Sequence, residues 1–337
     1  MARLFVMRER DVGLFSLVQQ VISNLPRAEA MALHPLALFG AGCVYYTAAG
    51  HRDRDTVWEY YFEPLDPAHP ASALAGPRRD ELMAERVDHE SPGRWLNQDH
   101  YLTNNFGDHP DIADRTIPVL RAWVDPDVVT RRRAAALIER YVRPRAELAA
   151  RARAFGEAVL SGGPVLGLHI RGTDAVAPEE EAPDRIGMLK MRRFVTLAEG
   201  HLDAHPEGRV LVASDAQRSV DQLRNRLGPR AVALDAVRHD YGPTVGRGPE
   251  QGRIPDFLAR DARAAAQNGE DAVVEYLLLR RCRLLGHNGA SLARTVRLAE
   301  PDLAHVNLHR PVRAVSRARA AGRRQTNRVR RVMGVHR

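Results

Sequence analysis

Cysteine, lysine and long apolar runs are what this 337-residue chain has least of, and each shortage closes off a class of protein. Its two cysteines, Cys43 and Cys282, lie one in each half within largely apolar stretches. That is too few for a disulfide framework, and too few for a structural zinc centre with about four nitrogen or sulfur ligands. A reducing compartment suits such a chain. The most apolar window, Ala28 to Tyr46, is interrupted by Glu29, His34, Pro35 and Gly40. It never supplies the about 20 uninterrupted apolar residues of a membrane span. The amino terminus, MARLFVMRERDVG, runs into charge after a short apolar stretch and has no small-residue cleavage site, so no export signal is read and a cytoplasmic location is expected. Lysine is confined to Lys190, and a preference for arginine codons accounts for that.

What is present is the composition of a folded globular protein, 44% hydrophobic and 27% charged. The net charge of +8 suggests nucleic acid until it is located. Residues 310–337 hold ten arginines and no acid, so removing them takes the +8 to −2 for residues 1–309. The body is close to neutral and nucleic acid is not an expected partner. A binding protein that docks its arginine-rich tail on nucleic acid or an anionic surface is the alternative from another class, since arginine clusters neutralise phosphates. The tail is otherwise read as a disordered, solubilising end. At this length two domains with their own cores are expected, because single cores stop growing near roughly 250–300 residues.

The chain is organised around PVLGLHIRGTD, Pro164 to Asp174. A Ser-Gly-Gly-Pro break leads into a short apolar strand, Val165 to Ile170, that ends in His169, Arg171, Thr173 and Asp174. Side chains alternate along a strand, so His169 and Arg171 share a face. Ligands of open α/β sheets sit beyond the carboxyl ends of strands, where a planar guanidinium beside an imidazole suits phosphate oxygens. The competing reading pairs Arg171 with Asp174 in a plain ion pair. Further on, Ser214 and Asp215 end a second strand, and Asn288, Gly289, Ala290 and Ser291 stand where a last strand turns into its helix. Backbone N–H groups at such a helix start favour a phosphate, and Gly289 allows close approach. Asn288 or Ser291 as a simple helix cap is the alternative.

The segment GLHIRGTD, with Glu179 five residues after its Asp, resembles the H-x-R-x-T-D motif of the α1,6-fucosyltransferase superfamily, which includes the nodulation fucosyltransferases. VLVASDAQ at Val210 to Gln217, DAVVEYLLLRRCRLL at Asp271 to Leu285 and HNGASLAR at His287 to Arg294 extend the resemblance in order, with a looser match in TVWEYYFEP at Thr56 to Pro64. The resemblance implies a GT-B-like α/β fold, two Rossmann-like domains facing a cleft. It also implies inverting transfer of fucose from GDP-fucose, a substrate rather than a cofactor, to a glycan or other hydroxyl acceptor; metal independence is expected because Asp-x-Asp pairs occur only at Asp53/Asp55 and Asp125/Asp127, away from the donor half. The resemblance assigns catalysis to Arg171, Asp174 and Glu179, and donor contacts to His169, Arg171, Asp215, Glu275, Asn288, Gly289, Ala290 and Ser291. The chain departs from the family's pattern at Ala175 for a Lys, Glu275 for an Asp, and Ala290 and Ser291 for a Ser and a Gln.

In chain order, Arg3 to Met7 reads as a strand and Gly13 to Leu25 as a helix striped by Leu14, Leu17, Val18, Val21, Ile22 and Leu25, ended by Pro26. The resemblance implies acceptor contacts at this helix's amino end. Leu36 to Tyr46 reads as a second strand, and the aromatics of Asp55 to Pro64 as core. Asp88 to Asp111 reads as a polar, aromatic loop whose His89, His100 and His109 lack metal-ligand spacing. Two helices divided at Pro144 fill Pro126 to Ala158. These residues make an N-terminal domain over 1–160. Strands and helices then alternate over 161–309 as a doubly wound domain, interrupted by a Gly- and Pro-containing flap at Arg238 to Arg260.

Overall fold

The structure is a computed structural model that describes residues 2–74, 76–85, 87, 93–106, 127–172, 176–177, 189–238 and 261–308. In the N-terminal half β1 (Leu4–Arg8), α1 (Leu14–Ala30), β2 (His34–Leu38), α2 (Val57–Tyr61) and α3 (Gly76–Ala84) are followed by β3 (Arg94–Leu96) and β4 (His100–Thr103). Two helices, α4 (Val128–Tyr141) and α5 (Ala146–Val159), lead into β5 (Val165–Ile170) and the short pair β6 (Val176–Ala177) and β7 (Leu189–Lys190). There follow α6 (Arg192–Ala204), β8 (Arg209–Ser214), α7 (Gln217–Leu227), β9 (Ala231–Val232), α8 (Ala262–Leu279), β10 (Leu284–His287), α9 (Ser291–Ala299) and β11 (Ala304–Asn307).

The first sheet runs β2-β1-β4-β3, with β1 parallel to β2 and β4 and only β3 antiparallel. Sequence reading misses β3 and β4. Each is four residues or fewer, and the turn between them puts Asn97 and Gln98 at φ 50° and 58°, the left-handed geometry of a tight hairpin. The expected strand Leu36 to Tyr46 is shorter than its apolar run, and β2 stops at Leu38 before Gly40 and Gly42. α1 continues through Pro26 to Ala30 instead of ending there. An interior proline costs roughly 3 kcal/mol, whereas burying Val21, Ile22 and Leu25 completely returns roughly 1.5–3 kcal/mol each. Packing decides. Trp58, Tyr60, Tyr61 and Phe62 are all buried, as the core reading of this cluster requires.

The second sheet, β9-β8-β5-β10-β11, is wholly parallel. Numbered along the chain its order is 3-2-1-4-5, so the winding reverses between β5 and β10. Alternation along β5 sorts its side chains. Leu166, Leu168 and Ile170 pack with Phe194, Ala198 and Leu202 of α6 and Val220 and Leu223 of α7. Val165 and Gly167 face the other way, and a Cβ on Gly167 would come within 2.7 Å of Leu279 and 2.9 Å of Cys282, so glycine sets how closely α8 lies on β5. His169 and Arg171 continue that second row. The largest core cluster joins α1 and α2 to α4, α5, α8 and α9. That cluster lies between the sheets, and each sheet also packs a cluster of its own, Leu4, Val6, Leu36 and Leu38 on the first and Leu166, Leu168 and Ile170 on the second.

Candidate active site

At the reversal point the ends of three strands lie side by side, with His169 level with His287 on one flank and Ala213 on the other. The residues that follow, Arg171, Asp215 and Asn288, are thereby brought together from distant parts of the chain. Asn288 locks the reversal: its side-chain amide donates to the Arg171 carbonyl at 3.1 Å, and its Oδ1 accepts from the Arg171 N–H at 3.3 Å. Asp215 accepts from the Gly172 N–H at 2.7 Å and ties the end of β8 to the same turn. A Cβ on Gly172 would meet Ala216 at 2.6 Å, so that turn also depends on glycine.

A cavity of about 140 Å³ opens over these ends. Its floor holds His169, Arg171, Ser214 and Asp215, one wall Ala290, Ser291 and Leu292, another Asp271 and Glu275, and its roof Gly13 to Ser16 with Tyr45. Two helix amino ends, those of α1 and α9, therefore face one space, each with the partial positive charge of its helix dipole. Tyr45 accepts the first N–H of α1 through its hydroxyl at 3.2 Å, and burial pushes that hydroxyl up to about 12. No side chain caps α9 among the described residues. Neither Asn288 nor Ser291 is the helix cap, because Asn288 bridges to Arg171 and Ser291 reaches across to Ser16, Oγ to Oγ at 2.7 Å. Gly289 turns with φ 85° and has no neighbouring atom within 4 Å of where a Cβ would stand, while its N–H donates to His287 Nδ1 at 3.0 Å.

The electrostatics of the cavity are divided. Burial, with the Arg171 guanidinium beside it, holds His169 down to about 4, so the ring is neutral at physiological pH. Its Nδ1 is buried with no hydrogen-bond partner among the described residues, and it lines the cavity. A buried polar atom in this condition calls for a ligand or a water. On the opposite wall burial pushes Glu275 up to about 8 against the Arg238 guanidinium 3.3 Å away, with Asp271 and Asp215 adding to the rise. Arg238 also donates to the carbonyls of Ser214 and Leu234, which seats it in the wall. Asp271 is engaged by Arg151 at 2.7 Å and by the Val237 N–H at 2.8 Å.

The structure thus gathers His169, Arg171, Asp215, Glu275, Ala290 and Ser291 around one cavity, with Asn288 and Gly289 shaping its rim. Asp174 and Glu179 lie outside the described residues, as do the greater part of the 238–260 segment, His89, His109 and the tail from residue 310. Of the Asp-x-Asp pairs, Asp127 caps α4 by accepting from the Thr130 N–H at 2.7 Å, and Asp55 pairs with Arg79. Sequence reading missed Tyr45, Ser16 and Asp271 among the lining residues; Ser16 and Asp271 reach the cavity through the packing of α1 and α8. The cap at Asp261, which accepts from the Arg263 and Ala264 N–H groups at 2.9 and 3.0 Å, was the available signal that α8 starts seven residues before Gly269.

The fold matches crystallised fucosyltransferases. The selenomethionine form of fucosyltransferase NodZ from Bradyrhizobium aligns at a TM-score of 0.52 with 16% identity, over 91% of this chain and 94% of that one. NodZ α-1,6-fucosyltransferase soaked with GDP-fucose aligns at a TM-score of 0.50 with 17% identity, over 91% of this chain and 95% of that one. The shared architecture is the GT-B-like α/β arrangement expected from the sequence. No protein-family model matches the sequence and no curated protein matches it. No helix among the described residues is long and apolar enough to cross a membrane.

Proposed function

We propose that the chain is an inverting glycosyltransferase that moves fucose from GDP-fucose to a hydroxyl of a glycan or similar acceptor in the cytoplasm, without a metal at the transfer site. The observation that carries this reading is the convergence of Arg171, neutral His169 and two helix amino ends on one cavity at the reversal point of a parallel sheet. The fold is that of NodZ, which has been crystallised with GDP-fucose soaked in, and this supports the choice of donor.

The hard step in such a transfer is departure of the diphosphate, whose growing negative charge needs donors already in place. Arg171, the His169 ring and the N–H groups of α9 are fixed in advance by the Asn288 bridge and the Gly289 turn, so little reorganisation is left for the moment of bond breaking. The acceptor oxygen attacks the anomeric carbon on the face opposite the diphosphate, the carbon–oxygen bond to phosphate breaks, and the electron pair leaves on GDP. The acceptor's proton passes to a carboxylate, a role we give to Glu179, with Asp174 beside Arg171 in the same motif. Asp215 and Glu275 take the nucleotide or sugar. The cavity of about 140 Å³ is smaller than the roughly 300–1,000 Å³ of small-molecule sites, so it receives the diphosphate end and the remainder of the donor extends over its mouth. Residues 161–309 are on this reading the donor side, and 1–160 the acceptor side.

The test is transfer of labelled fucose from GDP-fucose to an acceptor panel, with EDTA present and absent. Transfer unaffected by EDTA is expected. Glu179→Gln is expected to keep GDP affinity within about twofold while turnover falls about 10²–10⁴-fold, the contribution of a general base. Unchanged turnover removes Glu179 from the role.

A further inference from the structure

Away from the cavity, the described residues bring three ligating side chains together on the N-terminal sheet. His34 is the first residue of β2, and Asp66 and His69 stand in the turn beyond α2; the donor atoms of all three lie within 4.8 Å of one another. The geometry points to a divalent transition-metal site of the zinc class, formed by Nδ1 of His34, Nδ1 of His69 and Oδ2 of Asp66.

The turn prearranges the carboxylate. The Ala68 N–H donates to Asp66 Oδ1 at 2.9 Å and the His69 N–H to the Asp66 carbonyl at 3.0 Å, which orients one carboxylate oxygen and sets His69 three residues on, above it. The other oxygen, Oδ2, is left to the imidazoles, with His34 Nδ1 at 2.6 Å and His69 Nδ1 at 3.0 Å. The two rings lie 4.1 Å apart between centroids and are tilted by 42°, so neither blocks the other's nitrogen. Metal–ligand bonds of 2.0–2.1 Å in tetrahedral geometry require donor atoms about 3.3 Å apart. The two separations from Asp66 Oδ2, 2.6 and 3.0 Å, are somewhat shorter than that, and small side-chain rotations open the space. A carboxylate whose second oxygen is already held by a backbone N–H has the supporting bond that ligating carboxylates take.

The donor set chooses the ion. Two imidazole nitrogens and one carboxylate suit zinc, nickel or copper, whereas magnesium and calcium are held by oxygen. The His34 side chain is 45% exposed, so the ion enters from solvent and water completes its coordination. None of the three residues lines the cavity, and the site ties the start of an edge strand to the turn after α2. It stands apart from the transfer reaction.

Calorimetric titration of the full chain with zinc chloride, with magnesium chloride as control, tests this. Wild type is expected to bind one zinc equivalent that His34→Gln/His69→Gln lacks or binds at least about tenfold more weakly, the least effect that loss of metal-shell partners has. Wild-type transfer activity with and without zinc is expected to be equal. Asp66→Asn serves as the second variant where the double variant does not fold. The cobalt(II) form of wild type is expected to show the visible absorption of a low-symmetry nitrogen–oxygen site. Wild type and variants with equal zinc stoichiometry and affinity, or a wild type that takes up neither zinc nor cobalt, would overturn the assignment.

Discussion

Glu275 shows how a single side chain reports on the cavity. Burial holds its carboxyl up at about 8 in the folded chain against an ordinary 4.5, so the folded state binds a proton that the unfolded state has released. Stability from that proton is fully present below about pH 4.5 and is lost as pH rises through 8. His169, held down to about 4, has the opposite sign, with its contribution present above about 6.5 and lost as pH falls toward 4. Toward pH 9 the buried thiols of Cys43 and Cys282, pushed from 9.0 up to about 12, add an effect of the same sign, and comparison with Glu275→Gln removes it. The melting temperature of wild type is expected to fall more steeply from pH 7 to 9 than that of Glu275→Gln, measured by calorimetry, and parallel curves would contradict the protonated carboxyl. At this scale the sequence is legible where periodicity rules: two-residue alternation along β5 places His169 and Arg171 on one row. The amide bridge of Asn288 was not legible, because it depends on β10 lying beside β5, which the 3-2-1-4-5 order decides and no local pattern shows.

Among the elements, α9 has the most to lose from one methyl group. Gly289 holds φ 85° with open space where a Cβ would stand, so Gly289→Ala costs the left-handed backbone alone, about 1–2 kcal/mol, without a clash. A lower melting temperature together with weaker GDP binding is expected; a variant that melts lower and binds GDP as before would separate the turn from the phosphate. Short elements explain what sequence reading lost. β4 buries His100, Tyr101, Leu102 and Thr103 alike, so it has neither alternation nor an apolar run, and its place beside β1 is set by tertiary pairing. Within α8, Gly269 is a contact and not a break: Tyr61 of α2 packs where its Cβ would be. The striped helices α7 and α9 and the apolar strands β5 and β8 were legible because pattern and burial agree in them.

In the whole molecule the two sheets are joined over the cavity by α1. Gln19, 2% exposed, donates to the Ser291 carbonyl at 2.8 Å and to the Thr295 hydroxyl at 3.1 Å, and Ser16 meets Ser291. Gln19→Leu removes both bonds while the Ser291 carbonyl keeps the Thr295 hydroxyl at 2.9 Å, at about 0.5–1.5 kcal/mol for each bond lost. It is expected to raise KM for the donor more than it lowers kcat, because it loosens how the halves meet and leaves Arg171 in place. Steady-state kinetics distinguish this from a catalytic loss. The shared core beneath α1 was not legible from length, which gives a number of domains and not whether their helices interleave. The most direct measurement of the account's central claim is a calorimetric titration of wild type and Arg171→Ala with GDP. A charge-assisted bond to the diphosphate is worth about 1.5–3 kcal/mol, so the dissociation constant is expected to rise about 10- to 150-fold in the variant. A wild type that does not bind GDP at millimolar concentration, or a variant that binds it equally well, would contradict a cationic side chain at the end of β5 holding the leaving group.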